Sequence, residues 1–250
     1  MLNHEYSLKI AHLYPNLLNI YGDFGNILAL RKRLEDRNIN CEVINFNITD
    51  NPYEKIDKCN IFFIGGGQDI QQNEVAKNLQ THKKFFTQKA DEGNVFLGIC
   101  GGYQLMGKYY KPHDMDKQEG LGILDVYTVA SSKRFIGNVS VKLKNDIFDG
   151  TLVGFENHSG LTYITSQETK AIGNIIVGNG NNGEDKLEGA YKNNVFGTYL
   201  HGSFLPKNPK FADYLLFQAL KTKYNKEIML CKLDDEIENL THEYLFNKSY

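Results

Sequence analysis

Residues 94–107, NVFLGICGGYQLMG, change their hydrophobic period in mid-course, as a strand that runs directly into a helix does. Val95, Phe96, Leu97 and Ile99 form an apolar run after the turn signal Glu92-Gly93-Asn94, and they read as a buried strand. From Gly102 onward Tyr103, Leu105, Met106 and Tyr109 suit a helix, which puts Cys100 at a strand-to-helix corner. Gly98, Cys100 and Gly102 spell G-x-C-x-G, the cysteine form of a nucleophile elbow. A sharp corner strains the nucleophile's backbone, and small neighbours let a substrate come close.

An unassisted cysteine is mostly protonated at neutral pH. At a helix N-terminus the unpaired N–H groups and the macrodipole favour thiolate, and the same N–H groups can stabilise an oxyanion, so Cys100 is expected to be an activated nucleophile. Most free cysteines are small buried hydrophobes. Glycines on both sides of Cys100 at a strand end favour the nucleophile.

The 250 residues suffice for a sizeable core, and 41% hydrophobic with 23% charged residues is the balance of a globular protein. A net charge of −2 without basic runs argues against general nucleic-acid affinity. The N-terminal stretch lacks the charged lead and apolar core of a secretory signal, and no segment approaches the roughly 18 apolar residues of a membrane span. A cytoplasmic location is expected. Cysteines 41, 59, 100 and 231 contain no C-x-x-C pair, against both a disulfide framework and a zinc site.

Strands are predicted at 7–13, 38–46, 60–64 and 94–99, separated by helices at about 26–36 and within 70–91. On the first helix Ile27, Leu30 and Leu34 mark the buried face, with Arg31, Arg33 and Glu35 off it. This alternation predicts an α/β fold with a doubly wound, mostly parallel sheet of flavodoxin type. Both glycine-rich corners, 65–67 and 98–102, fall at C-terminal strand ends, where ligands bind in such sheets. Beyond Lys111, strand-like runs at 121–130, 137–143, 152–156, 174–177 and 189–200 are divided by turn signals such as Asn145-Asp146 and Asn179-Gly180. They read as an antiparallel extension of the same sheet. Helices around Phe211–Leu220 and over 234–247 close the chain, which is expected to be a single domain over 1–250 with its core at about 8–206 and a helical tail at 207–250.

Among seven histidines His201 is the best base candidate, because a strand end of the same sheet can bring its imidazole to Cys100. His158 in GFENHSG is the runner-up. Arg134 in ASSKRFIG, between two predicted strands, could clamp a carboxylate. Glu156 could be a catalytic carboxylate or a structural one. The GGGQD loop at 65–69 lacks the G-K-[ST] of a P-loop, so the chain has no ATP motif.

GICGGYQ around Cys100, GGGQD at 65–69, GFENHSG at 154–160 and GTYLHG at 197–202 resemble the class I glutamine amidotransferases, in the branch of the cobyric-acid and cobyrinate amidases. Within that branch YGDFGN at 21–26, EGLGIL at 119–124, KRFIGN around Arg134 and GNGNN at 178–182 are similar to the GatD family of lipid II isoglutaminyl synthase subunits. The resemblance implies a glutaminase in which Cys100 attacks the side-chain amide of L-glutamine and His201 moves the proton. Gly67 and Gly101 would supply oxyanion N–H groups, Gln104 would line the glutamine pocket and Arg134 would bind substrate. It also implies a heterodimer with a MurT-type, Mur-ligase-like synthetase. That partner would carry the ATP and Mg and use the ammonia to convert D-glutamate of lipid II to D-isoglutamine in cell-wall synthesis; no cofactor is expected in this chain. One departure stands out. Class I members usually carry His-Pro-Glu, whereas His201 is followed by Gly202-Ser203, so the carboxylate that orients the histidine would have to come from the partner. The alternatives are a catalytically inactive docking module of the same fold, an amidotransferase for another acceptor such as a corrinoid, and a stress hydrolase with a similar elbow.

Overall fold

The computed structural model describes residues 5–20, 22–144 and 146–248. Residues 1–4 of the N-terminal stretch, Tyr21 of YGDFGN and Asn145 of the Asn145-Asp146 turn lie outside the described residues.

The first part alternates as its periodicity predicts: β1 (Ser7–Leu13), α1 (Phe24–Glu35), β2 (Asn40–Phe46), the one-turn α2 (Pro52–Lys55), β3 (Ile61–Ile64), α3 (Asp69–Thr81), α4 (Lys83–Asp91) and β4 (Val95–Ile99). The short α2 has no counterpart in the sequence prediction. β3 and β4 are apolar throughout because both faces of the sheet are covered. Successive residues of β3 serve opposite faces. Phe62 stacks on Phe96 at 4.6 Å and meets Phe85 and Phe86 of α4, whereas Phe63 meets His12, whose ring stacks on Phe24 of α1.

After β4 come α5 (Gly101–Met106), β5 (Tyr109–Lys111), β6 (Gln118–Glu119), β7 (Val126–Leu143), β8 (Thr151–Ile164), β9 (Gly173–Val177), β10 (Leu187–Glu188), β11 (Ala190–Lys192) and β12 (Val195–Thr198). Tyr109, expected on the helix, is on β5 because α5 ends at Gly107. Two helices, α6 (Pro209–Tyr224) and α7 (Glu236–Lys248), follow a short 3-10 turn.

The first sheet has the order β11-β12-β4-β3-β1-β2, parallel except for β11. Of the runs expected to extend it only 189–200 does so, as the β11–β12 hairpin; the others do not. β12 takes the free edge of β4 in parallel, and the remaining strands form a second sheet, β10-β9-β7-β5-β6, with β8 also paired to β7. The predicted runs 121–130 and 137–143 are mostly one long strand, β7, whose register against β8 shifts between Ala130 and Phe135. Alternation identifies a strand, but it does not specify the neighbour. The sheets meet where β10 gives way to β11, and again where the His201 N–H donates to the Phe155 carbonyl of β8 at 2.8 Å.

Arg33 is a second correction. Expected off the buried face, it is buried where α6 crosses α1, and its guanidinium forks onto Asp213 at 2.6 and 2.7 Å and Asp235 at 2.6 and 2.9 Å.

Candidate functional site

Cys100 joins β4 to α5 with φ 52° and ψ −106°, a left-handed conformation that is strained for a residue with a Cβ. The corner is pinned on three sides. The Cys100 N–H donates to the Thr198 carbonyl at 2.9 Å, the Gln104 N–H to the Cys100 carbonyl at 3.0 Å, and the Gly102 N–H to the Gly65 carbonyl at 3.1 Å. Gly102 is required by close approach, since a Cβ there would collide with the Ile64 carbonyl oxygen.

Burial opposes the expected thiolate. Desolvation pushes the Cys100 thiol up to about 12; the Asp23 carboxylate adds to the rise, and the Gly101 N–H, bonded to the sulfur, and the Arg134 charge oppose it. α5 has six residues, too short a helix for its dipole to outweigh desolvation. A Cβ placed on Gly101 would stand 3.4 Å from the Gly67 nitrogen and 2.7 Å from Gln72 Oε1, so the two glycines predicted as oxyanion donors lie beside one another.

Beside Cys100 opens a cavity of about 370 Å³, within the range of small-molecule sites. Cys100, Gln104, Arg134 and Gly67 line it, together with His158. Gly101 and His201 are not on the lining. Arg134 lies inside β7, not in a loop between strands. The register shift beside it turns the chain, and its Nε donates to Asn157 Oδ1 at 2.8 Å across the cavity rim.

His201 is three residues beyond Thr198 and is 2% exposed. Burial lowers its pKa to about 3, with the His158, Arg134 and Lys207 charges acting in the same direction. His158 bonds through Nδ1 to the Gly160 carbonyl at 2.8 Å, and burial lowers it to about 4. Burial thus favours the neutral form of both imidazoles and of the thiol. Glu156 is a loop anchor: its carboxylate accepts from the Asn179 N–H at 3.1 Å, the Gly180 N–H at 3.0 Å and Asn179 Nδ2 at 2.5 Å, which shapes the 178–182 loop.

Three side chains escaped the sequence reading. Asp23 is buried and accepts the Gly66 N–H at 2.8 Å, holding the glycine loop; desolvation raises it to about 6. Gln72 donates to Gln104 Oε1 at 2.8 Å. Its signal was a polar residue on the stripe Gln72, Val75, Ala76, Leu79 that α3 buries. Tyr199, fully buried, gave no signal beyond its place in GTYLHG. No helix among the described residues is long and apolar enough to cross a membrane, and among them no cluster of three His, Cys, Asp or Glu side chains could hold a metal ion.

Residues 9–209 match the CobB/CobQ-like glutamine amidotransferase domain. The chain is 44% identical over 218 residues to the glutamine-hydrolysing lipid II isoglutaminyl synthase subunit GatD of Staphylococcus aureus, covering 87% of this chain and 86% of that protein. It is 41% identical over 249 residues to the same subunit of Streptococcus pneumoniae, covering 99% and 94%. Among solved structures, a glutamine amidotransferase of Thermotoga maritima superposes with a TM-score of 0.54 at 14% identity, covering 96% of this chain and 94% of that one. The glutaminase domain of Trypanosoma brucei CTPS, solved with bound acivicin, gives 0.53 at 10% identity, covering 90% and 96%. The last two likenesses concern the fold alone. With a cysteine elbow at the end of β4 and a family match over most of its length, the chain belongs to the CobB/CobQ-like glutamine amidotransferase family.

Proposed function

We propose that this chain is the glutamine-hydrolysing subunit of a lipid II isoglutaminyl synthase. The observation that carries the chemistry is a cysteine held at a strained corner beside a polar cavity, with one backbone N–H on its sulfur and a second close by. The choice of substrate and acceptor rests on 41–44% identity to GatD subunits over most of both chains.

In this reading His201 takes the thiol proton as Cys100 sulfur attacks the side-chain amide carbon of L-glutamine. The Gly67 and Gly101 N–H groups receive the oxyanion. The C–N bond then breaks, His201 returns the proton and ammonia departs. Water adds to the γ-glutamyl thioester, releasing glutamate and restoring the thiol. Gln104 lines the pocket and Arg134 pairs with the substrate carboxylate. The ammonia passes to a MurT-type, Mur-ligase-like partner that holds ATP and Mg and activates the D-glutamate α-carboxylate of lipid II. His201 lacks a following glutamate, so the partner contributes the carboxylate that orients the imidazole and raises its basicity.

The test is co-purification from the native cell followed by ammonia-release assays on the chain alone and on the complex. The expected result is an ATP-binding Mur-ligase-like protein, amidated lipid II, and turnover that rises on assembly. A corrinoid synthetase as the partner would overturn the acceptor; equal turnover by the isolated chain and the complex would overturn the shared carboxylate.

A further inference from the structure

Tyr199 stands between two side chains of the cavity wall that arrive from different elements. Its ring lies flat on His158 of β8, with centroids 3.6 Å apart and planes within 5°. Its hydroxyl accepts from Gln104 Nε2 of α5 at 3.1 Å and lies 2.7 Å from Thr162 Oγ1, which is 2.7 Å from Thr128 Oγ1. At the other end of the Gln104 amide, Oε1 accepts from Gln72 Nε2 at 2.8 Å. Both polar ends of Gln104 are therefore committed, and its amide plane is set from two sides.

The backbone beneath Tyr199 is held as firmly. Its N–H donates to buried Glu188 Oε1 at 2.8 Å, and the Thr198 hydroxyl donates to the same oxygen at 2.6 Å. Gly160 closes the cluster, because a Cβ there would stand 2.5 Å from Gln104 Nε2 and 3.0 Å from the Tyr199 hydroxyl. Tyr199 does not line the cavity, so whatever it contributes must pass through its neighbours.

We infer that Tyr199 is a positioning residue for the substrate-facing wall. Its hydroxyl sets the direction of the Gln104 amide and its face sets the plane of His158. Its place two residues before His201 ties both to the strand end that carries the base. Removing the hydroxyl strips a partner from two buried polar groups at once and frees the Gln104 amide to turn. The inference rests on the glutaminase proposal for what the wall binds.

The test is a double-mutant cycle of Tyr199→Phe and Gln104→Leu in the complex with the partner subunit, reading KM and kcat for L-glutamine with the melting temperature of each variant. Tyr199→Phe keeps the ring and its stack. It is expected to raise KM at least about tenfold with kcat within about threefold, a split that general loosening would not produce. In the Gln104→Leu background the same change should alter KM less than about twofold, because the contact it removes is already gone. Gly160→Ala, which wedges a methyl between Gln104 and Tyr199 while keeping both side chains, should reproduce the KM rise even if Tyr199→Phe folds poorly. Multiplicative KM effects across the cycle, or an unchanged KM in Gly160→Ala, overturn the positioning role alone. A wild-type complex that hydrolyses no glutamine overturns the glutaminase proposal together with it.

Discussion

The backbone N–H of Cys100 donates to the carbonyl of Thr198 at 2.9 Å, and His201 follows Thr198 by three residues. Ile99 and Thr198 are opposite one another in a parallel pair, so the segments carrying Cys100 and His201 leave the same end of adjacent strands. That shared strand end is a property of the β4–β12 pairing, and changes that loosen this edge should act on catalysis before they act on substrate binding.

Replacing Cys100 with Ala should lower ammonia release from glutamine by at least about a thousandfold, the loss expected for a covalent nucleophile. Melting should stay close to wild type, since alanine occupies the same strained backbone with a smaller side chain. Residual activity within tenfold of wild type would falsify the thiol mechanism.

Thiol reactivity should respond to the charges that bear on Cys100, Asp23 and Arg134 among them. Asp23→Asn removes the carboxylate that raises the thiol while leaving an oxygen for the Gly66 N–H, so alkylation by iodoacetamide should become faster at neutral pH. Arg134→Gln removes an opposing positive charge and should slow it. The pH profile of alkylation reads both; shifts in the same direction would contradict this electrostatic arrangement.

Acid stability should carry the signature of the buried histidines. His158 and His201 have folded pKa values of about 4 and 3, below the ordinary 6.5, so below pH 6.5 the unfolded chain binds more protons and stability falls as the pH is lowered. Their contribution is complete above about pH 6.5 and is lost progressively as the pH falls through about 4 and 3. Asp23, raised to about 6, acts in the opposite sense between about 4 and 6. The comparison therefore uses urea midpoints of His158→Asn and His201→Asn against wild type across pH 3–7. Each variant should show a flatter profile than wild type; parallel profiles would refute the assignment.

Arg33 should be a stability residue and not a catalytic one. Breaking a buried charge network by removing one partner costs about 3–5 kcal/mol, so Arg33→Ala should lower the urea midpoint markedly. Arg33→Met, which keeps the stem, should lose less. A loss under about 1 kcal/mol for the alanine variant would show that Asp213 and Asp235 are readily solvated.

Much of this was legible in the chain because local chemistry dictates it. The apolar runs of β3 and β4, the glycine corners after them and the stripe on α6 follow from period and propensity, and G-x-C-x-G by itself marks the elbow. Tyr109 was misread because helical spacing continued past the point where Gly107 ends the helix. Arg33 was misread because a helix's own pattern does not reveal that α6 will cross its polar side with Asp213 and that the segment before α7 will add Asp235.

What required the folded chain is of one kind: relationships between segments far apart in sequence. Strand alternation depends on neighbours one and two residues away, so the amino-acid order specified that β7, β8 and β12 are strands, but not that β12 pairs with β4 while β7 and β8 build a separate sheet. The state of Cys100 follows the same rule. Its corner is local and readable, but its thiol is held protonated by desolvation, and desolvation is the sum of everything packed around it.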